Sequence, residues 1–305
     1  MMWINRAAQA HRVWVVALAF LVLSGAAVVE AQSSELKDPA PAVGVFGGTD
    51  SEATGGPDDY GYTFEDSDEP SCPFAFVDIS STGTSLGGGD DEAYVTTYAE
   101  SFTFYAVTVI EALVSTNGYI STDITDPGGD LSNDCPLPAV PSTGGGARIY
   151  PLHDDLVTSD ILVQYFDTCP RASDRCLIPE SCTVIQWQGV THFGDDTEWN
   201  QQAILYHKSG DIVAQVGTGN PEVGSGSTTG IQNESATDAL TYACNVGQSV
   251  PNDTGVCFRN PDSLPAGTCL APVVLEVPTA SPLGLLALFG LLALAAWVML
   301  RRRGR

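Results

Sequence analysis

Between its two terminal apolar segments this chain never sustains a helical hydrophobic period over three turns, and that constrains its fold more than any other feature. Short runs of β-branched and aromatic residues alternate instead with clusters of Gly, Ser, Asp and Pro. The first kind of residue packs well on a pleated surface, and the second supplies turn geometry. The runs predict strands over 74–79, 93–98, 101–105, 112–114, 119–121, 161–166, 182–189, 202–207, 211–216, 228–232 and 240–242. Many short strands with turn chemistry between them imply an all-β fold, an antiparallel β-sandwich. Asn117-Gly118 predicts a type I′ hairpin turn, in which both central residues take positive φ. Lys208-Ser209-Gly210-Asp211 predicts a second hairpin.

The ends read differently. Arg6 and Arg12 precede an unbroken apolar run from Val13 to Leu23, and Val29-Glu30-Ala31 places small residues where a signal peptidase cuts. Residues 1–31 are therefore expected to be a signal peptide, with an uncleaved anchor as the rival reading. Residues 32–56, rich in Gly, Ser, Pro and Ala, read as a flexible linker. The β domain is expected over 57–275, enough chain for one substantial core. Residues 283–300 carry no charge and are long enough for a transmembrane helix. Arg301, Arg302, Arg303 and Arg305 follow as a membrane stop and place the C-terminus in the cytoplasm.

Charge is distributed unevenly. Residues 32–280 hold 6 of the 12 basic and 36 of the 37 acidic residues, a net charge of −30 against −25 for the whole chain. Such a segment repels phosphate, so neither nucleic acid nor anionic lipid is an expected partner.

All eight cysteines, Cys72, Cys135, Cys169, Cys176, Cys182, Cys244, Cys257 and Cys269, fall in that segment. An even count in an exported domain implies up to four disulfides. Closeness in sequence favours Cys244 with Cys257, and a pair drawn from Cys169, Cys176 and Cys182. Zinc is the alternative, but no CxxC or CxxH spacing occurs.

Two resemblances follow from ordered motifs. Phe102-Thr103-Phe104-Tyr105, Val114 to Ile120, Ile149 to Leu156 with His153 where Trp is usual, Ile185-Gln186-Trp187, the 203–213 strand pair and Thr229 to Asn233 together resemble nidogen-like domains. That resemblance implies an extracellular β domain concerned with adhesion or matrix contact. Residues 276–305, with Val277, Pro278 and Thr279 ahead of the apolar helix and arginine cluster, resemble the IPTL-CTERM sorting signals of bacterial envelope proteins, relatives of PEP-CTERM. This implies an exosortase-like membrane enzyme as a partner. Val277 and Ala280 depart from the motif, and a plain single-pass anchor remains the alternative.

Catalytic chemistry has little support. HExxH and P-loop motifs are absent. The strongest catalytic suspects are His153-Asp154-Asp155 with His192, which would suit a secreted metal-dependent hydrolase. Acidic loops offer hard oxygen ligands for structural Ca²⁺, with Asp66, Asp68, Asp123 and Asp126 as candidates and no other cofactor expected. The expectation is a non-enzymatic, exported cell-surface or envelope protein that binds an extracellular protein or polysaccharide, held in the membrane by its C-terminal helix or released after processing.

Overall fold

A computed structural model describes residues 54–172 and 179–262. The signal peptide, residues 32–53 of the linker, Cys176, Cys269, the sorting motif Val277-Pro278-Thr279, the apolar span 283–300 and the arginine stop lie outside the described residues. Among the described residues no helix is long and apolar enough to cross a membrane.

Fourteen strands form among them: β1 Thr54–Gly55, β2 Thr63–Asp66, β3 Thr84–Asp90, β4 Ala93–Phe104, β5 Val107–Ser115, β6 Ile120–Ser121, β7 Arg148–His153, β8 Leu156–Phe166, β9 Cys182–His192, β10 Trp199–Tyr206, β11 Ile212–Val216, β12 Thr228–Gln232, β13 Ala239–Cys244 and β14 Thr254–Arg259. They build an eight-stranded sheet ordered β1-β2-β14-β11-β10-β9-β8-β3 and a six-stranded sheet ordered β13-β12-β7-β6-β5-β4. Every pairing is antiparallel, as the strand pattern implies.

The main core lies between the sheets. Phe102, Phe104, Ala112 and Val114 of the six-stranded sheet meet Ile185, Trp187, Ala203, Leu205 and Ile212 of the other. Trp187 is fully buried, and its indole Nε1 donates to Ser115 O across the sandwich at 2.7 Å. The large apolar ring therefore buries its one donor without leaving it unpaired.

Each sheet also carries a covering on its outer face. Cys182, Val184, Ile204, Tyr206 and Val213 alternate with the inner residues and form a second cluster with Cys72 and Ile79. β9, β10 and β11 are thus buried on both sides, which is why they read as nearly continuous apolar runs. The predicted strand 74–79 is not a strand, and this is a correction. It lies against the outer face without joining the ladder.

The reason lies in where its amides bond. Gln215 Oε1 accepts from Ala75 N at 2.7 Å, Gln202 Oε1 from Val77 N at 3.2 Å and Gln186 Oε1 from Ile79 N at 3.0 Å. The three glutamines are register partners across β11, β10 and β9. Alternate residues of an extended chain repeat every ~6.6 Å while strands lie ~4.8 Å apart, and long amide side chains absorb the difference. The amides that a paired strand would have bonded to a neighbour's backbone are satisfied here by side chains.

On the six-stranded sheet the β6–β7 connection is the covering. Leu137 packs there with Leu113, Tyr119 and Tyr150.

Two turns differ from expectation. Asn117 does not take positive φ; only Gly118 does, at +77°. Ser115 N bonds Tyr119 O, closing a three-residue loop, the form that ends in a left-handed glycine. A Cβ on Gly118 would lie 2.1 Å from Leu152 O, so no other residue fits. The two-residue hairpin with both φ positive sits instead at Tyr105 (+45°) and Ala106 (+61°), between paired Phe104 and Val107. The hairpin at 207–210 forms as expected, with Gly210 at +69°.

Three disulfides form among the described residues: Cys72–Cys257, Cys135–Cys244 and Cys169–Cys182. The expected Cys244–Cys257 bond is overturned. Cys244 ends β13 in the six-stranded sheet and Cys257 lies on β14 in the other, so short separation in sequence does not bring them together. Cys135–Cys244 ties the β6–β7 covering to its sheet, and Cys72–Cys257 anchors the start of the glutamine-held segment to β14. The local pair expected near residue 170 is Cys169–Cys182.

Candidate functional site

The acidic segment 123–134 encloses a cation supplied by the chain itself. Arg148, at the start of β7, is fully buried, with Nη1 2.6 Å from Asp130 Oδ2 and Nη2 2.7 Å from Asp126 Oδ2. Its guanidinium stacks 4.3 Å from the Tyr119 ring centre, and Tyr119 Oη donates to Asp126 Oδ1 at 3.1 Å. Asp126, read from sequence as a Ca²⁺ candidate, is thus an arginine partner. Asp134 lies 3.8 Å from Arg148 and accepts from Ser142 Oγ at 2.8 Å. Burial, and next the charge of Asp130, push its carboxyl up to about 7.

The other candidates scatter. Asp123 Oδ1 caps Thr125 N at 2.9 Å. Asp66 caps Asp68 N at 2.9 Å and accepts from Tyr242 Oη at 3.0 Å, while Asp68 is exposed. Asp123 and Asp66 are placed as turn formers.

The histidine-aspartate group is divided. His153 is fully buried with Nδ1 2.7 Å from Asn117 O and Nε2 2.6 Å from Ser132 O. The next residue faces away from it: Asp154 Oδ2 lies 3.0 Å from His192 Nδ1, with Glu222 Oε1 3.8 Å from the same nitrogen. His192 also packs against Trp199, with ring centres 4.7 Å apart and the planes tilted by 37°. Burial works against its charge, but the bond to Asp154 and the charges of Asp154 and Glu222 prevail, so its pKa is raised. Asp155 groups with Asp90 and Asp91 instead.

A concave site of a different kind opens at the β4–β5 hairpin. This cavity of about 610 Å³ is lined by Asp59, Tyr60, Tyr105, Val107, Thr122, Ala147, Asn233, Glu234, Ser235 and Asp238. Five separate stretches of chain meet there. Asp238 fixes one wall by accepting from Asp59 N at 2.9 Å and Tyr60 N at 2.7 Å. Asn233 Oδ1 fixes the 233–238 loop itself by accepting from Thr237 N at 3.0 Å.

Tyrosines form the aromatic wall. Tyr105 packs 5.4 Å from Tyr60 and 5.0 Å from Tyr62, and donates from Oη to Asp58 Oδ2 at 2.8 Å. Burial, then the Asp58 charge, push the Tyr105 phenol far above its ordinary value. Tyr60 Oη donates to Asp262, and burial followed by that bond push its phenol up to about 12. A bulky residue held at positive φ is costly, of order 1–3 kcal/mol, and such strain gathers at functional positions. Here it sits in the wall of the cavity.

A family model described as NIDO related matches residues 61–259, well over half of the chain. The chain belongs to the NIDO-related family. No curated protein and no solved structure matches it. The nidogen-like resemblance drawn from the ordered motifs is thereby supported, and its residues fall on strands β4 to β12 and their turns in this NIDO-related domain.

Sequence reasoning missed the cavity. Its residues come from positions near 60, 105, 122, 147 and 235, and only topology unites them. The buried arginine did leave a signal: Arg148 is the only Lys or Arg between Lys37 and Arg171 in an acid-rich stretch.

Proposed function

We propose that this NIDO-related protein is an exported cell-surface or envelope protein whose disulfide-stabilised β domain serves adhesion or structural binding. In this reading residues 1–31 direct export. Residues 276–305 anchor the chain in the membrane, or sort it through an exosortase-like enzyme. The observation that carries the binding role is the hairpin cavity: a concave aromatic and acidic site, within the ~300–1,000 Å³ usual for ligand pockets, held on a cross-linked scaffold. Three disulfides support an oxidising compartment.

Binding is favoured over metal-dependent hydrolysis because both ring nitrogens of His153 face carbonyl oxygens and offer nothing to a metal shared with His192. Two assays on native cells test the role together. Protease added to intact cells is expected to remove the domain, and attachment to their usual surface is expected to fall when Val107→Trp fills the cavity. A domain protected until lysis, or attachment unchanged by the substitution, would contradict it.

A further inference from the structure

We infer that the hairpin cavity receives a cationic side chain, the ammonium of lysine or the guanidinium of arginine on its aliphatic stem, presented by a basic protein segment. This rests on the cavity being the binding site.

The argument is a count of hydrogen-bond roles. Tyr60 Oη and Tyr105 Oη spend their protons on Asp262 and Asp58. Asn233 Nδ2 donates to Thr237 Oγ1 at 3.2 Å, and Ser235 Oγ pairs with Thr237 Oγ1 at 2.9 Å. Thr122 Oγ1 accepts from Ala147 N at 2.9 Å, and its hydroxyl proton and the second Asn233 Nδ2 proton are the few side-chain donors left in the polar lining. Acceptors remain: the exposed carboxylates of Asp59 and Glu234 make no hydrogen bond or ion pair among the described residues. Among the described residues no Lys, Arg or His lines the cavity to neutralise them.

A sugar needs donors as well as acceptors, and an anion needs donors alone. Ammonium and guanidinium groups donate three and five hydrogen bonds and accept none, so they match what the lining offers. The walls suit the rest of such a side chain. Val107 and Ala147 supply apolar surface for the stem, and Tyr60 and Tyr105 supply ring faces that attract a cation. Their phenols, held protonated by burial, leave those rings uncharged, and the attraction then comes from the ring faces and the rim carboxylates.

The test is calorimetric titration of the full chain in detergent with tetralysine, tetraarginine, acetyl-lysine amide and the neutral disaccharide cellobiose. The domain is acidic everywhere, so the decisive comparison is between the pocket variant Asp59→Asn/Glu234→Gln and a control, Asp195→Asn/Asp196→Asn, which removes the same charge from an exposed loop outside the cavity lining. A basic peptide should bind, with affinity about tenfold weaker in the pocket variant and near wild type in the control. Binding by acetyl-lysine amide alone as tight as by the peptides would support the cation and identify a free amine, not a protein segment, as its source. Equal weakening in both variants would overturn the inference, since it would reduce to general charge attraction. Cellobiose binding that Tyr60→Ala abolishes, with no peptide bound, would overturn the cation while keeping the cavity as the site. Failure of every probe would count against both.

Discussion

Arg148 and Asp130 meet at 2.6 Å with both side chains wholly removed from water. Taking two charges out of solvent is expensive, and the contact holds because Asp126, the Tyr119 ring and Thr143 O add partners to the guanidinium, although its buried Nε finds none. The pair pins the β6–β7 covering to the strand it crosses. Asp130→Ala leaves a buried guanidinium short of a partner and should destabilise the domain by about 3–5 kcal/mol. Chemical denaturation read by tryptophan fluorescence checks this. A change below about 1 kcal/mol would mean that the pair is not buried as described.

Asp134 gives the same cluster a pH dependence. Its carboxyl titrates near 7 in the folded chain, against an ordinary value of 3.8. Between those values the folded state holds a proton that the unfolded state has lost, so this group's stabilisation is complete below about pH 4 and lost as pH rises through 7. Asp134→Asn, which stays neutral, should gain stability relative to the wild type from pH 4 to about pH 7 and level off above it. Melting curves of the two proteins in matched buffers measure the difference. A difference independent of pH would show that Asp134 titrates normally.

The glutamine-held segment predicts a local effect. Gln186→Leu removes the acceptor for the buried Ile79 amide, at a cost of about 1–3 kcal/mol. Hydrogen exchange should speed at residues 75–79 while β9, β10 and β11 keep their protection. Unchanged exchange there would mean that the amide has another acceptor.

Tyr105-Ala106 holds a turn for which neither residue is suited. Ala106→Gly removes the left-handed penalty and should raise stability by about 1 kcal/mol. A loss of stability would show that the hairpin is not under this strain.

Much of the sandwich was legible from residues. Strands with one or two apolar faces and clear turns, such as β11 and β12, fall within a residue of expectation, while β10 begins three residues earlier than expected. β3 was hidden by Gly87-Gly88-Gly89, which reads as a loop. Those glycines are needed in the strand, since a Cβ on Gly88 would lie 2.2 Å from Ser159 O. β7 begins with a buried arginine and contains Pro151, and β14 contains Gly255, so both lack the usual strand composition. Phe74 to Ile79 misled for the opposite reason, since an extended apolar segment looks the same whether its amides bond to backbone or to glutamines. The candidate site was least legible, because Tyr60, Tyr105 and Glu234 share no local pattern.

The disulfide pattern of protein isolated unreduced from its native cells tests the central claim, a two-sheet domain cross-linked in an oxidising compartment. Peptide mapping by mass should find Cys135 joined to Cys244 and Cys72 joined to Cys257. Recovery of Cys244 joined to Cys257, or of those four cysteines as free thiols, would contradict the account.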